Sequence, residues 1–94
     1  MPAYWIAHAT VTDLEAYGRY AKLATETIAA HGGRFLARGG RYVQLEGTDR
    51  GRNVLAEFPS LEAAEACYRS EAYQAALAHA KGAAERDLVI VDGL

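Results

Sequence analysis

The sequence contains little of what disulfide-rich, secreted or membrane-spanning proteins need. Its single cysteine, Cys67, cannot form an internal disulfide, so the fold requires no oxidising compartment. No apolar run approaches the roughly 18–20 residues of a membrane-spanning helix. The amino-terminal segment has no basic start and carries an acid at Asp13, unlike a signal peptide. These absences predict a cytoplasmic protein with no membrane partner.

The sequence also lacks a large excess of charge of either sign. Ten Lys and Arg residues against twelve Asp and Glu give a net charge of -2, which argues against a nucleic-acid partner. His8, His31 and His79 do not have the spacing of metal ligands, and no dinucleotide or phosphate-binding glycine motif follows a strand. The sequence therefore predicts no metal site and no cofactor.

The chain has 94 residues, of which 51% are hydrophobic. This length and composition predict one folded domain spanning residues 1–94. Periodicity and turn signals predict strands and helices in alternation. The first helix is expected to begin at Thr12, which forms a capping box with Glu15, and to end at Gly32-Gly33. Ser60 is expected to cap a second helix and Ser70 to cap its restart. The predicted strands are 4–11, a long strand 34–47 bent at Gly39-Gly40, 53–58 and 88–91.

This order predicts an α+β fold of the ferredoxin-like type, βαββαβ, with a four-stranded antiparallel sheet and both helices on one face. The first and last strands are apolar on both sides, and two helices cover only one of them. An uncovered apolar face predicts a homodimer formed through the sheet face. Trp5 is assigned to that interface; the alternative is that the long bent strand covers it.

Three stretches of the chain carry a family resemblance: GGRFLARGGRYVQLEG (32–47), RNVLAEFPSLEAAEACYRSEAYQ (52–74) and LVIVDG (88–93). Together they resemble the DUF1330 family over essentially the whole chain. The resemblance implies a dimeric α/β barrel built from ferredoxin-like protomers. It implies little about chemistry, because related dimeric barrels include cofactor-free monooxygenases, isomerases, haem enzymes and binding proteins.

The strongest local charge signal is a group of five arginines between Arg34 and Arg52 with only two acids among them. A guanidinium group suits a carboxylate or phosphate. Arg38 is the best candidate, because the neighbouring Gly39 lets a ligand approach the backbone. The alternative is that these arginines lie on the solvent side of an edge strand and deter edge pairing.

Two further groups of side chains are candidates for a site. His8 and Glu57 are expected opposite each other on paired strands, where a carboxylate-oriented imidazole serves as a general base; the alternative is a core histidine with an ordinary partner. Tyr17, Tyr68 and Tyr73 are expected to face the sheet and either line a ligand cavity or simply pack in the core.

These candidates support three functions. The first is binding of a small acidic or aromatic molecule in a cleft between helices and sheet, through Arg38, Gly39, Tyr17, Tyr68 and Tyr73. The second is a cofactor-independent oxygenase or isomerase that uses His8 and Glu57 for proton transfer. The third is a purely structural dimer.

Overall fold

Seven elements follow one another along the chain in a computed structural model that describes all residues, 1–94. The strands are β1 (Ala3–Val11), β2 (Arg34–Arg38), β3 (Arg52–Phe58) and β4 (Ala84–Asp92). The helices are α1 (Leu14–Ala30), α2 (Leu61–Arg69) and α3 (Glu71–Ala80). None of the three helices is long and apolar enough to cross a membrane.

The strands form one antiparallel sheet in the order β2-β3-β1-β4. The helices pack on one face of this sheet, with α1 against α3 and α2 against the strands. The prediction of a ferredoxin-like βαββαβ fold is confirmed, with the second helix divided into α2 and α3. The division occurs at Ser70, as predicted: its hydroxyl accepts from the amide of Tyr73 (3.1 Å) and donates to the carbonyl of Cys67 (2.7 Å).

Helix α1 begins one residue later than predicted. Asp13, rather than Thr12, is the N-cap, and its carboxylate accepts from the amide of Ala16 (3.1 Å). The reason is a tie to the other end of the chain, because the amides of Thr12 and Asp13 both donate to the carbonyl of Ala83. These hydrogen bonds hold Thr12 outside the helix, one residue before the N-cap, so the predicted Thr12 cap is wrong.

The predicted long strand 34–47 is also wrong beyond its first part. Strand β2 ends at Arg38, after an irregularity between Phe35 and Ala37, and no strand is formed by residues 39–51. Gly39 has a φ of 67°, a left-handed conformation that takes the chain out of the ladder. Strand β4, in contrast, starts at Ala84, four residues before the predicted boundary.

Trp5 lies in the core between helices and sheet, so its assignment to the dimer interface is wrong. Its side chain is 1% exposed and packs on Phe58 (ring centroids 5.5 Å apart) and on Tyr73 (5.2 Å). Alternation along β1 therefore places Trp5, Ala7 and Ala9 toward the helices. The residues between them in sequence lie on the opposite face.

That opposite face, which we call the open face, is covered by no helix. It carries Tyr4, Ile6, Leu55, Val89 and Val91, which the strand registers place in neighbouring positions. Val89 is 57% exposed and Val91 is 46% exposed. The prediction of a sheet with one bare apolar face is thus correct for the protomer, but the bare face is the one opposite Trp5.

Candidate functional site

A small cleft between α1 and the helix-covered face of the sheet contains three arginines. We call it the arginine cleft and define it by Arg38, Arg52, Arg86, Tyr17 and Tyr20. Its free volume is about 30 Å³, which is enough for one or two water molecules or a single small polar group. Small side chains create this space, because alanines at 7, 21 and 24 line it from β1 and α1.

The strand register explains why arginines meet there. Ala9 on the central strand β1 pairs with Arg52 of β3 on one side and with Arg86 of β4 on the other. Paired residues point to the same face of a sheet, so the two arginines flank Ala9 on the helix side. Arg38 pairs with Val54, in the next row toward Trp5, and also turns to the helices.

Arg86 is held at the floor of the cleft by two tyrosine hydroxyls. Its Nη2 donates to Tyr20 Oη (2.8 Å) and more weakly to Tyr73 Oη (3.4 Å), and these hydroxyls share a hydrogen bond of 2.6 Å. The guanidinium also lies 4.7 Å from the centroid of the Tyr20 ring. The Nε of Arg86 is buried without a hydrogen-bond partner, which leaves one donor of this charged group free.

Burial controls the protonation of the two phenols. It raises the pKa of Tyr20 and of Tyr73 above the ordinary value of 10.0. A neutral phenol is both a donor and an acceptor of hydrogen bonds. The pair can therefore accept from Arg86 and still hold a proton at neutral pH, so the floor of the cleft has a net positive charge.

Arg52 lies between Tyr17 and the turn that follows β2. Its guanidinium carbon is 5.8 Å from the centroid of the Tyr17 ring, and its Nε is buried without a partner. A Cβ placed on Gly39 would come within 2.7 Å of Arg52 Nη1. The space beside Gly39 thus holds the end of the flexible Arg52 side chain, and the approach of a ligand to the Gly39 backbone stays a prediction.

Arg38 forms the rim of the cleft. Its Nη1 donates to Thr25 Oγ1 of α1 (3.3 Å), and its guanidinium lies 4.6 Å from the centroid of the Phe35 ring. Arg38 is exposed, whereas Arg52 and Arg86 are partly buried. The three cations are therefore arranged from solvent to floor.

No carboxylate neutralises these three arginines. The ion pairs of the structure involve four of the five other arginines, Arg19, Arg34, Arg50 and Arg69. No aspartate, glutamate or histidine lines the arginine cleft. Three positive charges around one small space, with two buried Nε donors free, make this a position that attracts an anion.

The predicted tyrosines divide between this cleft and its surroundings. Tyr17 lines the cleft, and the hydroxyl of Tyr73 lies behind its floor. Tyr68 does not reach it; it lines a separate groove of about 520 Å³ between α3 and β4, with Leu77 and Leu88. Arg86 borders both spaces.

His8 and Glu57 do not meet, so their prediction as a hydrogen-bonded pair is wrong. Both lie on the open face, but Glu57 pairs with Tyr4, four residues before His8 and therefore about 13 Å along the strand. His8 Nδ1 donates instead to Asn53 Oδ1 (2.6 Å). Glu57 accepts from Arg34, the residue across from it on β2 (3.1 Å).

Two members of the cleft, Arg86 and Tyr20, were absent from the sequence prediction. Arg86 precedes the predicted start of the last strand, although the alternation Arg86, Leu88, Ile90 marks one face of a longer strand. Tyr20 follows Tyr17 by three residues, a spacing that places both on the same side of a helix. The signal for Arg86 appears once the last strand is extended, and the signal for Tyr20 is present in the predicted first helix.

Comparison with protein families identifies the chain's relatives. The sequence matches the model of the family described as "Domain of unknown function (DUF1330)" over residues 2–94. No curated protein matches it.

Solved structures share the fold at low sequence identity. RPA0582, a protein of unknown function from Rhodopseudomonas palustris, is 21% identical with a TM-score of 0.79; the match covers 99% of this chain and 82% of that one. A dimeric ferredoxin-like protein of unknown function from Thermobifida fusca is 18% identical with a TM-score of 0.66, covering 99% and 92%. A variant of SnoaB, a cofactor-independent oxygenase from Streptomyces nogalater, is 11% identical with a TM-score of 0.68, covering 98% and 92%.

Proposed function

The chain belongs to the DUF1330 family of unknown function, and we propose that it binds a small organic acid in the arginine cleft. The observation that carries the proposal is the set of three arginines, Arg38, Arg52 and Arg86, that face one space with no carboxylate among them. A bound carboxylate would supply the missing negative charge and accept hydrogen bonds from the two partly buried guanidinium groups.

The dimensions of the cleft suggest how the acid would enter. A volume of about 30 Å³ accepts a carboxylate group but not a whole aromatic molecule. The carboxylate would therefore point inward to Arg52 and Arg86, and the body of the acid would lie at the mouth, beside Arg38 and Phe35. The aromatic rings along this path favour an acid with an apolar or aromatic body.

Binding is better supported than turnover. SnoaB, which shares the fold, is an oxygenase that works without a cofactor. In this chain, however, no histidine, aspartate or glutamate lines the arginine cleft, so it offers no ordinary general base. His8 and Glu57, the predicted proton-transfer pair, lie on the other side of the sheet and apart from each other.

We also propose that the functional unit is a homodimer formed through the open face. The Thermobifida fusca protein with the same fold is described as dimeric. Ile6, Val89 and Val91 of the open face form a continuous apolar surface that a second copy would remove from water. A two-fold pairing of identical faces gives the face-to-face arrangement implied by the family.

The acid-binding proposal is tested by titrating the protein with benzoate and following the fluorescence of Trp5. Trp5 is the single tryptophan of the chain and lines the arginine cleft, so its emission reports on events there. Benzamide, a neutral molecule of similar shape, separates recognition of the charge from apolar binding. We expect benzoate to change the emission saturably and benzamide to have no such effect.

Arg52→Gln is expected to weaken benzoate binding by about tenfold or more, because it removes a charged hydrogen-bond donor from the cleft. Arg41→Gln is the matched control, since Arg41 is exposed and lies outside the cleft. Equal affinity in Arg52→Gln and the parent protein would overturn the proposal. So would the absence of any benzoate response, which would favour the structural dimer.

A further inference from the structure

The connection between β2 and β3 is far longer than a hairpin needs. It runs over residues 39–51, whereas common hairpin loops contain about 2–5 residues. Apart from the Gly39 amide, which donates to the carbonyl of Asn53, no backbone hydrogen bond joins this connection to the rest of the protomer. The backbone amides of residues 41–46 therefore have no partner within one copy of the chain, and of their carbonyls only that of Glu46 accepts a hydrogen bond, from the side chain of Gln44.

The sequence of this segment is that of a strand rather than a loop. Residues 41–46 read Arg-Tyr-Val-Gln-Leu-Glu, with no glycine or proline. Val43 is 80% exposed and Leu45 is 86% exposed, and their alternation places both on one side of an extended chain. Two large, exposed apolar side chains at alternate positions of an unpaired segment are typical of a strand whose partner is missing.

Strand β4 offers a matching free edge. It is the edge strand next to β1, nine residues long, and its pairing with β1 runs without interruption from Ala84 to Asp92. The other edge strand, β2, is five residues long and irregular between Phe35 and Ala37. A bulge of this kind protects an edge from further pairing, whereas a long regular edge accepts another strand.

The end of this segment lies at the open face of the sheet. The chain that follows it is fixed to β4 at the open face, where Arg50 contacts Asp87 (2.7 Å) and Glu85 (3.3 Å). His8, Gln44 and Thr48 border one polar hollow there. The exposed residues 41–46 therefore end beside the open face, on which a second copy would pack.

We infer that residues 41–46 add a fifth strand to the β4 edge of a second copy of this chain. In a two-fold dimer the exchange is reciprocal, so each sheet gains one strand and each copy loses its free β4 edge. Val43 and Leu45 are then covered by the partner. The inference does not depend on acid binding in the arginine cleft.

Hydrogen exchange of backbone amides tests the inference at a protein concentration where sedimentation equilibrium shows the dimer. We expect every second amide of residues 41–46, the set that donates to β4 of the partner, to be protected by at least about a hundredfold relative to an unstructured chain. Dilution toward the monomer is expected to remove this protection while the amides of β1 remain protected.

Gln44→Pro tests the strand directly, because proline fixes φ at about −65°, far from the extended values of an antiparallel strand, in the middle of the segment. Thr48→Pro is the matched control, since Thr48 lies in the same connection, is also exposed and is outside residues 41–46. We expect Gln44→Pro to raise the dimer dissociation constant about tenfold or more and Thr48→Pro to leave it nearly unchanged. Rapid exchange of every amide in residues 41–46 of the dimer would overturn the inference and leave the proposed open-face dimer in place. A protein that is monomeric throughout would overturn both.

Discussion

The two phenols under Arg86 make the stability of the protein sensitive to alkali at the scale of single residues. Tyr20 and Tyr73 are buried, and burial raises the pKa of both hydroxyls above the ordinary value of 10.0. In the unfolded chain the same hydroxyls ionise near that ordinary value. As the pH rises above 10, the unfolded state therefore gains stability from ionisation before the folded state does.

Tyr20→Phe is predicted to reduce this alkaline loss. The free energy of unfolding of the parent protein should fall as the pH rises above 10, and the fall should be shallower in Tyr20→Phe because one of the two buried phenols is gone. Denaturant titrations from pH 8 to pH 11 measure the slope. Tyr4→Phe is the control, because Tyr4 lies on the open face and its hydroxyl has no hydrogen-bond partner in the protomer. Parallel slopes for the parent and Tyr20→Phe would contradict the assignment.

The sequence predicted which residues share a face, but not which face the helices cover. Alternation along β1 separates Trp5, Ala7 and Ala9 from Tyr4, Ile6 and His8, and the structure preserves that division. Each of the two faces begins with apolar or aromatic residues, so the pattern alone does not show which face the helices cover. The predicted side of Trp5 is wrong for this reason. The row of Arg52, Ala9 and Arg86 could not be predicted, because it depends on the register between strands that are distant in sequence.

At the scale of elements, Ser70 holds two helices together through one hydroxyl. It accepts from the amide of Tyr73 at the start of α3 and donates to the carbonyl of Cys67 near the end of α2. Ser60 makes only the first kind of contact, accepting from the amide of Ala63 at the start of α2. The two serines therefore allow a cap alone to be compared with a cap that also closes the preceding helix.

Ser70→Ala is predicted to destabilise the protein more than Ser60→Ala. Loss of an N-cap costs about 1 kcal/mol, and the second bond of Ser70 adds a further cost of about the same size. Chemical denaturation of both variants measures the difference in the free energy of unfolding. Equal costs would show that the bond to the Cys67 carbonyl contributes nothing. Near-UV circular dichroism of the folded variants checks that the packing of Tyr73 is retained.

Helix boundaries were predictable from sequence to within a residue, and the connection between β2 and β3 was not. Caps such as Ser60 and Ser70 act through contacts with residues three positions away, so the local sequence contains their whole signal. Residues 41–46 have the composition of a strand, but a strand requires a partner. No partner exists within the protomer, and the prediction of a strand to Gly47 fails there for that reason.

At the scale of the whole molecule, the order of elements was sufficient to predict the fold. The chain contains two units in which a helix connects one strand to the next strand along the chain. Few arrangements of four strands accommodate two such units without crossed connections. The apolar open face then indicates that copies of the chain assemble, since helices on one side of the sheet cannot cover both of its faces. The arginine cleft was only partly predictable, because Arg38 and Tyr17 were recognised as candidates while Arg86 and Tyr20 were not.

Val89→Lys is predicted to weaken the proposed open-face dimer without unfolding the protomer. Val89 is 57% exposed in the protomer and lies in the middle of the open face, beside Ile6. A lysine there is solvated in a single copy but would place an unpaired charge inside a face-to-face interface, at a cost of several kcal/mol. The dimer dissociation constant measured by sedimentation equilibrium should rise by at least about tenfold. Leu14→Lys is the matched control, since Leu14 is 82% exposed at the start of α1 and outside the open face. A dimer that tolerates lysine at 89 as well as at 14 would show that the open face is not the interface.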